Sequence, residues 1–336
     1  MDYQVIWFIL ITVLFTGFFF LEGFDYGVGM LAPFVSKREE DRSLILRTIG
    51  PVWDGNEVWM ITAGGALFAA FPHVYATMFS TFYMALFLML VALILRGVAF
   101  ELRTKEKCPC WQKLWDAAIF IGSIVPAFLW GVAVTDLAAG LPIGENMVYQ
   151  GNFLNLLSPY SICGGMVFVL VFAYHGASFL QLRLADKGLL YRIQDLGKCA
   201  GSLAAIAYVL YLILTWQNTD LLARPCAMGL FIATAVFFLL SLFLFMKTPG
   251  KYSFVLGSLT IAGVTLGFFA GMFPRLMVSS LSPDWSLTIT NASSTEYTLS
   301  IMTVAAFVLV PVVLVYQIWT YYIFRKRITT SDVSHY

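Results

Sequence analysis

Glu22 and Asp25 lie three residues apart inside a long apolar run, and Asp54 and Glu57 repeat that spacing within Trp53-Asp54-Gly55-Asn56-Glu57-Val58-Trp59. On a helix, residues three apart share a face. Ionisable groups inside apolar spans are rare and costly, which makes them the first candidates for function. A carboxyl in a low-dielectric site can hold and pass on a proton, so a proton path is the chemistry these four residues suggest. The competing reading sets them near lipid headgroups, hydrated, where they cap or pack helix ends. No lysine or arginine is expected in mid-span to neutralise them.

Other chemistry is thinly supplied. The chain has three histidines, His73, His175 and His335. Haem iron needs an axial His, Met, Cys or Tyr. His73 follows Pro72 in a short outer loop and His335 lies in the C-terminal tail. His175 sits in an apolar run, where it could ligate a haem or donate to a quinone carbonyl, although a lone helical histidine is more often a packed residue. The 13 methionines serve an apolar bundle as filler. Five cysteines form no framework, and Cys108-Pro109-Cys110 suits neither a zinc pair nor a redox motif. No metal-ligand cluster, Ser/His/Asp set or phosphate loop is present, and no nucleic acid is expected as a partner.

The elements that must carry these residues follow from hydropathy. Of 336 residues, 60% are hydrophobic and only 12% charged, and mean hydropathy is +0.82. A soluble domain carries about twice that charge, so lipid is the solvent this surface fits. Nine candidate spans are read at roughly 5–33, 52–71, 74–97, 115–138, 159–182, 199–217, 226–246, 254–273 and 300–324. Backbone in lipid must satisfy its own hydrogen bonds, and the runs lack the alternation of barrel strands, so each should be a helix. The expected fold is an all-α integral membrane protein, a single domain over 1–336. The N-terminus has no basic residue before its long apolar run, so the first segment reads as a retained helix rather than a cleaved signal. Pro126 and Pro311 predict local kinks, and the pairs Gly64-Gly65 and Gly164-Gly165 suit close helix contacts. The outer loops at 139–158 and 274–299 read as ordered caps, with Asn291-Ala292-Ser293 a loop element.

Charge placement orients the bundle. With the N-terminus outside and loops alternating, every Lys and Arg of the 20 falls on an inside loop except Arg224 and Arg275. Arg96 is counted in the second inside loop, with Arg103, Lys105, Lys107 and Lys113. This follows the positive-inside rule and puts the C-terminus in the cytoplasm. The four carboxylates then fall in the cytoplasmic half.

Specific strings add a family. Gly23-Phe24-Asp25-Tyr26-Gly27-Val28-Gly29-Met30-Leu31 resembles a segment of cytochrome bd quinol oxidase subunit II. Pro51-Val52-Trp53-Asp54-Gly55-Asn56-Glu57-Val58-Trp59 is similar to that family's signature, and the likeness runs on through Ile61 to Ala70. Gly122 to Pro126, Gly151-Asn152-Phe153, Met272-Phe273-Pro274 and Ser293-Ser294-Thr295 extend it over the whole chain, although the outer loops look shorter than in some proteobacterial relatives. The resemblance implies a bacterial inner-membrane protein paired with a haem-bearing subunit I. That partner would hold haems b and d, the quinol site and the oxygen chemistry, and this chain would ligate no haem. It implies that Asp25 and Asp54 route protons inward to the haem site, with Glu22 and Glu57 beside them. Some relatives hold a quinone in this subunit and some complexes include a small third subunit; neither maps onto residues here.

Two other classes stay in view. A secondary transporter would also place carboxylates in its spans, with broken helices at a midplane site; no inverted repeat is seen. A pure scaffold would support its partner without Asp25 or Asp54 mattering to turnover.

Overall fold

A computed structural model describes residues 2–248 and 250–329, and His335 lies outside them. The helices are Tyr3–Val35 (α1), Glu39–Arg47 (α2), Trp53–Ala70 (α3), Pro72–Thr81 (α4), Tyr83–Leu102 (α5), Pro109–Ala139 (α6), Pro159–Arg183 (α7), Lys187–Asn218 (α8), Pro225–Lys247 (α9), Lys251–Met272 (α10) and Glu296–Ile323 (α11). Local chemistry starts them where expected. Asp2, Ser158, Asp186 and Thr295 cap α1, α7, α8 and α11, and proline opens α4, α6, α7 and α9, where its missing N–H costs nothing.

Among the described residues, 8 helices are long and apolar enough to cross a membrane, namely α1 and α5 to α11. The chain is a multi-pass membrane protein. The run expected as the second span forms the 18-residue helix α3, which is not one of these 8; Asp54, Asn56 and Glu57 lower its hydropathy. The third span differs from expectation. The run read at 74–97 breaks at Phe82, and its membrane-length helix is α5, which continues to Leu102. Beside the break, Thr81 and Ser80 turn their hydroxyls back onto the Thr77 carbonyl, at 2.6 and 3.0 Å. Such back-bonding competes with the helix ladder and bends it. As a result Arg96 lies within α5, one and a half turns before its end, and not in a loop.

α1 runs through the middle of the bundle, packed by α3, α6, α7 and α10. Glycine permits its closest crossing. Gly27 and Gly176 face each other so closely that a Cβ on either would meet the other's backbone. Gly131 likewise meets Gly164 and Gly165. Gly64 and Gly65 do not share this role, since open space faces both within this chain. Buried hydroxyls pin the second half: Tyr160 donates to Thr215 at 2.9 Å, and Tyr174 pairs with Ser241 at 2.7 Å. α6 and α11 run on through Pro126 and Pro311.

At the end of the bundle where α1 finishes, α2 buries Leu44, Ile45 and Leu46. Charge pairs hold it there, with Arg192 of α8 on Asp41 at 2.8 Å and Arg42 on Asp116 of α6. At the opposite end the two long loops close over each other. Arg275–Met277 (β1) pairs antiparallel with Leu287–Thr288 (β2), and Leu141 bridges to Ser279. Asn291 is tied inside this cap, accepting from the Thr288 N–H and donating to the Ser286 carbonyl.

Candidate functional site

Glu22 and Asp25 occupy neighbouring turns of α1 and are fully buried. α3 begins beside them and presents Asp54, Asn56 and Glu57, while the final turns of α5 bring Arg96, also fully buried. The Nη1 of Arg96 donates to Glu57 Oε1 at 2.8 Å and to Glu22 Oε1. Its guanidinium lies over the Tyr26 ring, 4.9 Å from the centroid. The expectation that no basic residue would neutralise these carboxylates is therefore corrected. Removing a carboxylate from water is tolerable only when a well-placed counter-charge meets it.

Asp25 takes a different partner. Its Oδ2 accepts from Asn56 Nδ2 at 2.5 Å. The Asn56 Oδ1 in turn accepts from Gln317 at 3.1 Å and from the Tyr321 hydroxyl at 2.8 Å, both on α11. Asp54 stands in the first turn of α3, exposed at the bundle surface. The Glu57 side chain is 18% exposed and lies between that surface and the buried pair. Three of the four anticipated residues thus gather around one arginine, and Asp54 borders them without joining.

Several buried polar atoms here have no hydrogen-bond partner among the described residues: Glu22 Oε2, Asp25 Oδ1, Tyr26 OH, and Arg96 Nε and Nη2. Spare donors and acceptors side by side are what a proton relay needs, because each hop exchanges one hydrogen bond for another. The gradient of burial also has a direction, from exposed Asp54 through mostly covered Glu57 to enclosed Glu22.

Sequence reasoning missed Arg96 because it stands where the apolar window ends, and it missed Asn56, Gln317 and Tyr321 because neutral polar residues raise no charge signal. It also passed over Asp136, which is 5% exposed in α6 near the other end of the bundle. That residue meets the same rule that singled out Glu22: a carboxylate inside an apolar run.

His175 is a packed ring. It stacks on Phe254 with centroids 4.8 Å apart and planes 4° from parallel, and its Nε2 lies 3.2 Å from the Phe20 carbonyl. A carbonyl only accepts, so Nε2 carries the proton and Nδ1 is the acceptor. A Cβ on Gly257 would lie 3.5 Å from Nδ1, so α10 packs against that edge of the ring. Among the described residues no His, Cys, Asp and Glu gather as for a metal ion, and all five cysteines are free thiols.

Comparison with known proteins places this architecture. The family model of cytochrome bd terminal oxidase subunit II matches residues 3–324. This chain belongs to that family. The cytochrome bd ubiquinol oxidase subunit 2 of Bacillus subtilis is 40% identical over 334 residues, covering 98% of both chains. The corresponding cytochrome bd-I subunit of Escherichia coli K12 is 35% identical, covering 99% of this chain and 98% of its own. The fold also matches a chain of the bd oxidase from Geobacillus thermodenitrificans, with a TM-score of 0.77 at 17% identity and coverage of 97% and 100%. As a bd oxidase subunit II, the protein is one component of a membrane-bound quinol oxidase in respiratory electron transport, and it works with a subunit I.

Proposed function

We propose that this chain takes protons from the cytoplasm and delivers them towards a haem-bearing subunit I, which reduces oxygen to water. Reduction of oxygen consumes protons, and drawing them from inside while quinol releases them outside makes turnover electrogenic. In this reading all redox centres, haems b and d among them, belong to subunit I, and this chain ligates none. It also stabilises that partner.

The observation that carries the reading is the Glu22–Arg96–Glu57 cluster, with Asp25 one turn away and Asp54 at the surface. One guanidinium neutralises one carboxylate. The second carboxyl sharing it is neutralised by a proton, and moving that proton costs no net charge burial. Asp54 and Glu57 receive the proton, and Glu22 and Asp25 hold it in the interior.

The orientation supports the same direction. Nine spans, counting α3, put the N-terminus outside and the C-terminus in the cytoplasm, because the Lys and Arg residues cluster on one set of loops. The carboxylate cluster then lies in the cytoplasmic half of a bacterial inner membrane. Subunit I packs against α3 and α11. The apolar window of α11 is only 11% buried within this chain, and α3 exposes Val58, Ile61 and Phe68 together with the open Gly64–Gly65 surface.

Purification of this chain from its native membrane, followed by a reduced-minus-oxidised spectrum, tests the assignment. The expected material contains a larger polypeptide with b- and d-type bands. Asp54→Asn in that complex should slow oxygen consumption with the bands intact; equal loss of haem and activity would reduce the residue to an assembly role.

A further inference from the structure

Asn56 is a buried amide with both ends committed. Its Oδ1 has two lone pairs, and Gln317 Nε2 and Tyr321 OH fill them at 3.1 and 2.8 Å. With the oxygen pinned, only Nδ2 is left to face Asp25, which it does at 2.5 Å. We infer that Gln317 and Tyr321 are positioning residues for proton transfer: they lock the Asn56 amide so that Asp25 always meets a donor. This rests on the proton-path reading above and adds to it a control held on a different helix.

An unlocked amide would behave differently. A carboxylate can only accept, whereas a protonated carboxyl can also donate. A free Asn56 would turn its Nδ2 towards the ionised form and its Oδ1 towards the protonated form, so it would accommodate both and favour neither. The lock removes the second arrangement. Asp25 then exchanges its proton against a fixed donor, and the two protonation states differ more in hydrogen bonding than they otherwise would.

The remaining charges around Asp25 do not provide this control. Glu22 and Tyr26 on α1, Glu57 on α3, Arg96 on α5 and Tyr321 on α11 all interact with it electrostatically, but among the described residues only Asn56 bonds to its side chain. α11 adds a further consequence. It is the least buried of the 8 membrane-length helices. Just past its last turn the chain is held by Arg183, which donates to the Phe324 and Lys326 carbonyls, and by the Ile328 N–H on the Arg183 carbonyl. The lock therefore closes within this chain, on the helix that the rest of the chain covers least.

The test uses the whole purified complex carrying Tyr321→Phe, Gln317→Leu, both together, and Asp25→Asn as reference. Tyr321→Phe removes a single hydroxyl and keeps the ring that packs near Phe24, so it guards against misfolding in the double variant. Haem content should stay at the wild-type level. The pH profile of oxygen consumption should shift in Tyr321→Phe, and by about one pH unit in the double variant. The carboxyl band lost in the Asp25→Asn infrared difference spectrum should move in both. An unchanged profile and band in Tyr321→Phe and in the double variant, with Asp25→Asn slow, would overturn this inference alone. Wild-type turnover in Asp25→Asn would overturn the proton path and this inference with it.

Discussion

Arg96 of α5 bonds to Glu22 of α1 across 74 residues of sequence, and both side chains are wholly buried. A pair enclosed in this way is strong only while it is whole. Arg96→Gln leaves the carboxyls of Glu22 and Glu57 without their shared cation, and breaking a buried pair typically costs about 3–5 kcal/mol. The expected result is a complex that melts earlier and is recovered in lower yield, read by thermal unfolding of the purified oxidase. Arg96→Lys should retain part of the stability, because the charge remains while the planar donor fork is lost.

The glycines divide into two kinds that substitution will separate. Gly27→Ala and Gly176→Ala place a methyl group against opposing backbone. Overpacking of this sort costs about 1–3 kcal/mol or more, so both should lower the amount of assembled subunit in the membrane. Gly64→Ala and Gly65→Ala meet nothing within 4 Å in this chain. They should leave the fold intact and weaken only the association with subunit I, measured by the ratio of the two polypeptides after purification.

Asp41 gives a dependence on pH. Burial opposes its ionisation, but hydrogen bonds from the Arg38 side chain and from the Lys37 and Arg38 N–H groups outweigh this and hold the carboxyl below its usual value. A carboxyl lowered by folding stabilises fully above its unfolded value of about 3.9, and that contribution disappears as pH falls through the folded value. Acid unfolding of the oxidase should therefore be shallower over that interval in Asp41→Asn, with stability at pH 3 closer to that at pH 5 (approximate values for the window).

His175 offers a check on where the haems lie. Replacing it with Gln removes a ring stacked on Phe254, and the haem bands should persist at full strength per complex. Loss of one band would show that this chain supplies an axial ligand after all.

Much of this molecule was legible in its sequence because lipid imposes simple rules. The long apolar runs announce α1 and α6 to α11, and Glu22, Asp25 and Glu57 stand out against them as charges that need a reason. Arg96 was not legible. It sits at the point where an apolar run ends, which is also where loop arginines begin, and its partners come from helices 74 and 39 residues away. The break at Phe82 was hidden for a similar reason: apolar side chains dominate on both sides of it, and Ser80 and Thr81 are too few to end a hydropathy window. Short α2 carries acidic and basic residues at loop density, so only its packed Leu44, Ile45 and Leu46 show it to be a helix. Asn56 was visible as a residue, but its role depends on Gln317, which lies 261 positions further along the chain.

The central claim is that protons reach the oxygen chemistry through this subunit, and one measurement addresses it most directly. The purified oxidase would be reconstituted into vesicles with a pH indicator on the cytoplasmic side, and oxygen consumption and proton uptake would be recorded together for wild type and Asp25→Asn. The account predicts that the variant keeps its haem spectrum while both rates fall at least about tenfold, equivalent to roughly 1.4 kcal/mol of added barrier. Wild-type proton uptake and turnover in Asp25→Asn would contradict it.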